Sequence, residues 1–202
     1  MRKMNLLIKR LFDIVASALG LLLLSPLFLL FSIWIKLDSE GPVFFLQDRL
    51  GYRGKTFRLI KFRTMVQNAE HIGEGVKVLS EKDPRITKSG RVLRKTSIDE
   101  LPQLINVLLG DMSIVGPRPP VVYHPYKGFE NYPEWAKKRF EMRPGITGLA
   151  QEEVRASAPW NDRFKYDIDY VEHFNVLLDI KIIFKTFIRI FKADELYLGQ
   201  GF

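Results

Sequence analysis

Apolar residues are spread unevenly along the chain, and the longest run sits near the amino terminus. From Ile14 to Ile35 no residue is charged, and Leu, Ile and Phe dominate. These 22 residues suffice to cross a hydrocarbon core of about 30 Å. The run is too long for a signal peptide and has no small-x-small cleavage site after it. Ser25-Pro26 interrupts it at the middle, where proline removes a backbone hydrogen bond and crowds the preceding turn. The 12 residues from Ile14 to Ser25 reach only about 18 Å as a helix, so that arm dips into a bilayer and turns back. The Ser25 hydroxyl is placed to bond a carbonyl freed by Pro26. Arg2, Lys3, Lys9 and Arg10 precede the run and hold the amino terminus on the cytoplasmic side. Residues 1–40 therefore read as a re-entrant helix with both ends on one membrane face, and residues 41–202 as a domain on that face.

Beyond the anchor the pattern changes period. Asp38-Ser39-Glu40-Gly41-Pro42 is a turn-rich exit. Val43–Gln47 and Thr56–Phe62 are rich in aromatic and β-branched residues and predict two strands, with Gly51-Tyr52-Arg53-Gly54 as the hairpin loop. Val66–Gly90 has weak periodicity and mixed charge and reads as a long, partly mobile segment of the kind that lids a site. Leu101, Leu104, Ile105, Leu108 and Leu109 repeat at i, i+3, i+4, i+7, i+8, which predicts a helix burying one apolar face. Gly110 follows as its closing residue. Tyr123–Arg139 mixes aromatics, Trp135 among them, with basic residues and reads as lying along the lipid interface. Val176–Phe191 predicts an amphipathic helix with Lys181, Lys185, Arg189 and Lys192 along one face. Such a helix lies in an anionic membrane plane or packs on a core with a solvated lysine stripe, and the anchor favours the membrane. The fold class is α+β, mainly helical with a small β-hairpin and interfacial helices, in a monotopic membrane protein.

Charge narrows the partners. A net charge of +8 and a pI near 9.6 point to a polyanion: nucleic acid, nucleotide or an anionic membrane face. The absence of cysteine excludes disulfides, thiolate metal sites and a cysteine nucleophile. Three histidines do not favour a His-built metal centre, so any cation is a hard, oxygen-bound one.

The candidate chemistry gathers in Thr96-Ser97-Ile98-Asp99-Glu100-Leu101-Pro102-Gln103-Leu104. Two adjacent carboxylates stand here at the mouth of a helix in a basic protein. Ser97 with Glu100 forms one capping register, and Asp99 as N-cap with Pro102 in the first turn forms another. Either register puts the acids at the positive end of the helix dipole, ionised and suited to a cation. The plain alternative is that Asp99 only caps the helix. Arg91-Val92-Leu93-Arg94-Lys95 leads into the pair, and cations beside two acids suit phosphate oxygens next to a metal, or else a surface ion-pair network. Lys61 and Arg63 point one way from the second strand. Arg118 is held between prolines in Gly116-Pro117-Arg118-Pro119-Pro120, with little entropy left to lose on gripping a phosphate. Arg143-Pro144-Gly145-Ile146-Thr147-Gly148-Leu149-Ala150-Gln151 brings two glycine amides close to an anion, without the lysine or the strand–helix setting of a P-loop.

With these motifs in this order, the chain resembles the bacterial sugar transferase family, the small monotopic polyprenol-phosphate phosphoglycosyl transferases. The resemblance runs through Ser25-Pro26, Lys61-Phe62-Arg63-Thr64-Met65, Ser97–Gln103, Gly110-Asp111-Met112-Ser113, Gly116–Pro119 and Arg143–Gln151. It implies transfer of a phospho-sugar from a UDP-sugar to a polyprenol phosphate such as undecaprenyl phosphate, with release of UMP. It also implies Mg²⁺, a covalent aspartyl intermediate and a place at the cytoplasmic face of the inner membrane. Asp99 would be nucleophile and magnesium ligand, with Glu100 its catalytic partner. Arg94 and Arg118 would hold phosphates, and Arg155 would lie near the nucleotide sugar. Lys61, Arg63, Arg143, Thr147 and Gln151 complete the expected substrate-binding set. Gln151-Glu152-Glu153-Val154-Arg155 departs from the family's common Gln-Val-Asn-Gly-Arg by two acids and a lost glycine. The rival classes are a nucleic-acid-binding membrane protein, which needs cations interleaved with stacking aromatics, and a non-catalytic scaffold, which would be indifferent to Asp99. Oligomerisation is compatible with all three.

Overall fold

The computed structural model describes residues 2–69, 72, 83–154 and 158–192. Helix α1 (Arg2–Asp38) runs unbroken through Pro26 for 37 residues, about 55 Å at the usual rise. Local chemistry explains why the proline does not end it. Pro26 cannot donate to the Leu22 carbonyl, and the Ser25 hydroxyl donates to that oxygen instead, at 2.8 Å. The expected rescue by serine is thus present.

A polar stripe at four-residue spacing, Lys9, Asp13 and Ser17, is buried along α1, and Gly20, Phe28, Phe31 and Ile35 continue it. The rest of the circumference is apolar and exposed, including Leu7, Leu11, Leu22, Leu23, Leu29 and Leu37. Both arms pack on the same body. Arg10 donates to the Val107 and Leu108 carbonyls (2.7 and 3.1 Å), and Asp38 accepts from the Ser89 amide and hydroxyl, both at 2.8 Å.

Strands β1 (Phe44–Leu50) and β2 (Thr56–Phe62) form the expected antiparallel hairpin, with Phe44 opposite Phe62 and Leu50 opposite Thr56. Its turn holds Gly54 at a φ of +73°, the left-handed region that favours glycine. Helix α2 (Lys88–Lys95) is capped by Thr87, whose hydroxyl accepts from the Gly90 amide. Ahead of it, within Val66–Gly90, Met65 bridges to Ile86 and Arg85 ties the Ala69 and Ile72 carbonyls to Asp83. Residues 70–71 and 73–82 of that segment lie outside the described residues.

Helix α3 (Gln103–Leu109) corrects an expectation. Its buried residues are Gln103, Asn106 and Val107, whereas Leu108 and Leu109 are exposed. The side facing the protein is partly polar because Asn106 works as a piece of strand. Its Oδ1 accepts from the Ile60 amide (3.0 Å) and its Nδ2 donates to the Arg58 carbonyl (2.8 Å). The leucine-rich side lies by α1, where Gly20 leaves just enough room for Leu104. Gly110 closes the helix at a φ of +98°, as expected.

Strand β3 (Ser113–Val115) pairs in parallel with β4 (Gly145–Thr147). This two-stranded element was not expected, since three residues are too few to show an alternation. A Cβ on Gly145 would stand 2.1 Å from the Gly116 nitrogen, so these glycines serve close strand packing. Helices α4 (Glu134–Lys137), α5 (Leu149–Glu153), α6 (Trp160–His173) and α7 (Val176–Lys192) complete the body.

The interfacial expectation for Tyr123–Arg139 needs revision, and the basic face of α7 is partly committed within the protein. Tyr132 and Ala136 of the Tyr123–Arg139 segment are core residues, packed with Leu50, Phe140 and Phe164, while Trp135 is half-exposed. On α7, the apolar residues Leu177, Ile180, Phe184, Phe187 and Ile188 are exposed. Lys185 instead meets Glu153 at 2.7 Å, Arg189 donates to the Gln151 carbonyl, and Thr186 donates to Glu152 at 2.8 Å. Lys181 is exposed. The outward face of α7 is therefore mainly apolar, and Glu152 and Glu153 dock this helix.

Candidate active site

Five elements converge on the acid pair. A 3₁₀ turn, Ile98–Glu100, carries Asp99 and Glu100, and both are buried. Neither capping register forms. Ser97 adopts a left-handed conformation (φ 56°) and makes no side-chain cap, and α3 begins only after Pro102. The reason is competition for Glu100. Its Oε1 accepts from Lys61 Nζ at 2.6 Å and from Arg118 Nη2 at 3.1 Å, so it cannot reach back to a backbone amide.

Lys61 comes from β2, Arg118 from the proline-rich loop after β3, and Arg94 from α2. Arg49 comes from β1, where its guanidinium donates to the Pro119 carbonyl (3.0 Å) and to Gln47 Oε1 (2.5 Å). The prediction missed Arg49 because it ended the strand at Gln47. The same-face alternation Gln47-x-Arg49 was the available signal.

The two neighbouring acids have opposite electrostatics. Burial pushes the Asp99 carboxyl up to about 6; Lys61 opposes the rise and the Glu100 charge adds to it. Arg94 acts on Asp99 through its charge. Glu100 is also disfavoured by burial, but Lys61 and Arg118 reverse that and hold its carboxyl well below the usual range. Burial lowers Lys61, with Glu100 opposing. Burial, then the nearby Arg118, lowers Arg49 to about 10. Asp99 Oδ1 is buried and has no protein partner, which leaves one carboxylate oxygen of the pair free for a ligand.

Other expected site residues are occupied elsewhere. Arg63 closes the carboxyl end of α1, donating to the Glu40, Ser39 and Ile35 carbonyls. Arg143 donates to the Gly110 carbonyl (2.8 Å) and lies 5.7 Å from the centre of the Tyr52 ring. The Thr147 hydroxyl meets that of Thr186 at 2.7 Å, and Gln151 Nε2 donates to the Ile146 carbonyl at 3.0 Å. Of the two glycine amides of this loop, that of Gly145 donates to the Pro117 carbonyl rather than opening onto an anion. Arg155 lies outside the described residues.

The bacterial sugar transferase family model matches residues 4–193. This chain belongs to the bacterial sugar transferase family. An exopolysaccharide production protein of Rhizobium leguminosarum bv. phaseoli is 42% identical, covering 98% of this chain and 100% of the relative. A UDP-glucose:undecaprenyl-phosphate glucose-1-phosphate transferase of Caulobacter vibrioides is 42% identical over 94% of this chain and 72% of its own length. The Escherichia coli enzyme of that name is also 42% identical, over 96% of this chain but 42% of itself. The sugar transferase match spans both arms of α1 and every element that lends a side chain to the acid pair.

Proposed function

We propose that this transferase moves a phospho-sugar from a UDP-sugar to undecaprenyl phosphate, releasing UMP, through a covalent aspartyl intermediate on Asp99. One observation carries the reading: the buried, unpartnered Oδ1 of Asp99, set among Lys61, Arg94 and Arg118. An Asp99 oxygen attacks the phosphorus that bears the sugar, and the bond to the leaving UMP oxygen breaks with its electron pair. A phosphate oxygen of the polyprenol then attacks the same phosphorus, the aspartyl bond breaks, and the carboxylate returns. Lys61 and Arg118, parked on Glu100 between turnovers, face the diphosphate as it enters.

The donor set fits Mg²⁺. Asp99 offers a hard, free oxygen, and among the described residues no group of three or more His, Cys, Asp or Glu forms a protein cage. A cation held by one carboxylate with substrate phosphates and water is the usual magnesium arrangement. When bound there, Mg²⁺ supplies charge neutralisation between the attacking carboxylate and the phosphates.

Surface chemistry supports the membrane placement we propose. Both arms of α1 contact one body, so a re-entrant path at the cytoplasmic face of the inner membrane keeps every contact, whereas a full span would strip one arm. The exposed apolar sides of α1, α3 and α7 are the surface lipid would cover. Anionic headgroups suit the basic chain.

Intact mass after incubation with UDP-glucose or UDP-N-acetylgalactosamine and Mg²⁺ tests the chemistry. The expected result is an increment of one phospho-sugar, lost in Asp99→Asn and discharged by undecaprenyl phosphate. Steady turnover with no adduct under rapid quench would overturn the covalent route. The chain has no cysteine, so Lys3→Cys and Glu40→Cys report topology cleanly. Both should label from the cytoplasmic side, and labelling from opposite sides would exclude the re-entrant path.

A further inference from the structure

Behind the site lies a charged pair that the chemistry above does not use. Arg139 and Asp167 are almost completely buried, with 1% and 2% of their surface exposed. Arg139 Nε and Nη2 donate to Asp167 Oδ2 at 3.0 and 2.6 Å. The same Nη2 donates to the backbone carbonyl of Arg118 at 2.6 Å. The guanidinium also lies 4.6 Å from the centre of the Phe164 ring and 5.0 Å from that of Phe140. On its other side Asp167 feels the Arg118 amide and the Arg163 charge.

Stability is a poor reason for such a pair, since apolar residues of similar volume usually serve a core at least as well. The loop it touches supplies a better one. Pro117, Pro119 and Pro120 have no N–H, so Gly116–Pro120 cannot hold itself by a ladder. Its carbonyls depend on outside donors: Pro117 on the Gly145 amide (3.0 Å), Arg118 on Arg139, Pro119 on Arg49 and Pro120 on the Leu50 amide (3.0 Å). Proline fixes φ on either side of Arg118, and Pro119 narrows ψ of Arg118 to the extended range; within that range the tilt of the following peptide plane is set by what its carbonyl meets. That partner is Arg139, and Asp167 fixes the orientation of Arg139.

We propose that Arg139 and Asp167 are positioning residues for phospho-sugar transfer. They clamp the Arg118 backbone so that its guanidinium stays aimed at the carboxylate turn and at the diphosphate entering there. The inference rests on Arg118 holding the donor, as proposed above. Asp167 additionally supplies the counter-charge that lets Arg118, Arg139 and Arg163 crowd together.

The test compares Arg139→Lys, Asp167→Asn and Arg118→Lys, singly and combined. It uses whichever of UDP-glucose and UDP-N-acetylgalactosamine supports UMP release by the unaltered protein. Arg139→Lys should lower kcat/KM for the donor by about tenfold or more, a size typical of a slightly misplaced binding group. The KM for undecaprenyl phosphate should stay unchanged. Added to Arg118→Lys, it should cost little more, because the clamp acts only through Arg118. Losses that multiply in the double variant, or that follow the melting temperature, would overturn the proposal. So would unfolding of both Arg139→Lys and Asp167→Asn, which would make the pair a fold element. If Arg118→Lys alone leaves donor kinetics untouched, the role of Arg118 in the proposed function fails first. If it impairs them while folded Arg139→Lys does not, only the clamp fails.

Discussion

Among the places where this protein buries carboxylates beside cations, two differ in how many oxygens are satisfied. At the junction of α1 with β3 and α7, Asp13 accepts from the Ser113 hydroxyl (2.8 Å) and the Ile114 amide (3.0 Å). Asp179 there accepts from Lys9 and Tyr170, both at 2.7 Å. Every oxygen has a donor, and the network is closed. At the carboxylate turn Glu100 is equally well held, but Asp99 keeps an oxygen with no partner. A closed network ties the anchor helix to the body. An open one waits for a ligand. Burial alone therefore does not separate Asp99 from Asp13 and Asp179; the missing partner does.

The contrast can be broken from either end. Asp99→Asn should abolish UMP release, by about 10⁴-fold or more as for loss of a nucleophile, with the fold intact. Lys9→Met should do the opposite. It leaves Asp179 buried with one donor and should lower stability by about 3 kcal/mol in denaturant unfolding, while kcat of the folded fraction changes by less than about twofold.

A pH series sharpens the comparison. The folded Asp99 carboxyl sits at about 6, above its ordinary 3.8, so the native state binds the proton more tightly than the unfolded chain. Its contribution to stability is present below the unfolded value and is lost as pH rises through about 6. Metal-free Asp99→Asn should therefore be more stable than the unaltered protein at pH 8, on the order of 2 kcal/mol, with the gap closing below pH ~4. Melting curves across that range check it. Smallest of all should be Lys185→Ala. Its pair with Glu153 is partly exposed, and its loss should cost no more than about 0.5 kcal/mol.

Several particulars were legible in the chain. The hairpin, the glycine closure of α3, the bond from Ser25 to the carbonyl orphaned by Pro26, and the meeting of Lys61, Arg94 and Arg118 around the acid pair all agree with the residue pattern. Each depends on short-range geometry or on a motif whose order is distinctive. The errors share a different cause. Five leucine-type positions at helical spacing look like a buried face, yet Leu101 precedes α3, Leu104 meets α1, Leu108 and Leu109 are exposed, and Asn106 faces the protein. Periodicity shows that a helix has two faces but not which solvent each meets, and a membrane protein has two solvents. Arg63 looked like a phosphate ligand from its strand neighbours, but the carboxyl end of α1, far away in sequence, claims it.

Residue order settled the long apolar amino-terminal helix, the hairpin, the family and the turn that carries two adjacent carboxylates, because these rest on composition, turn chemistry and local spacing. It left open which of many similar arginines serves substrate and which serves backbone, and which carboxylate oxygen stays unpartnered. Those are questions of who stands beside whom across long stretches of chain. Only packing answers them, since a charge has no role until its neighbours are in place.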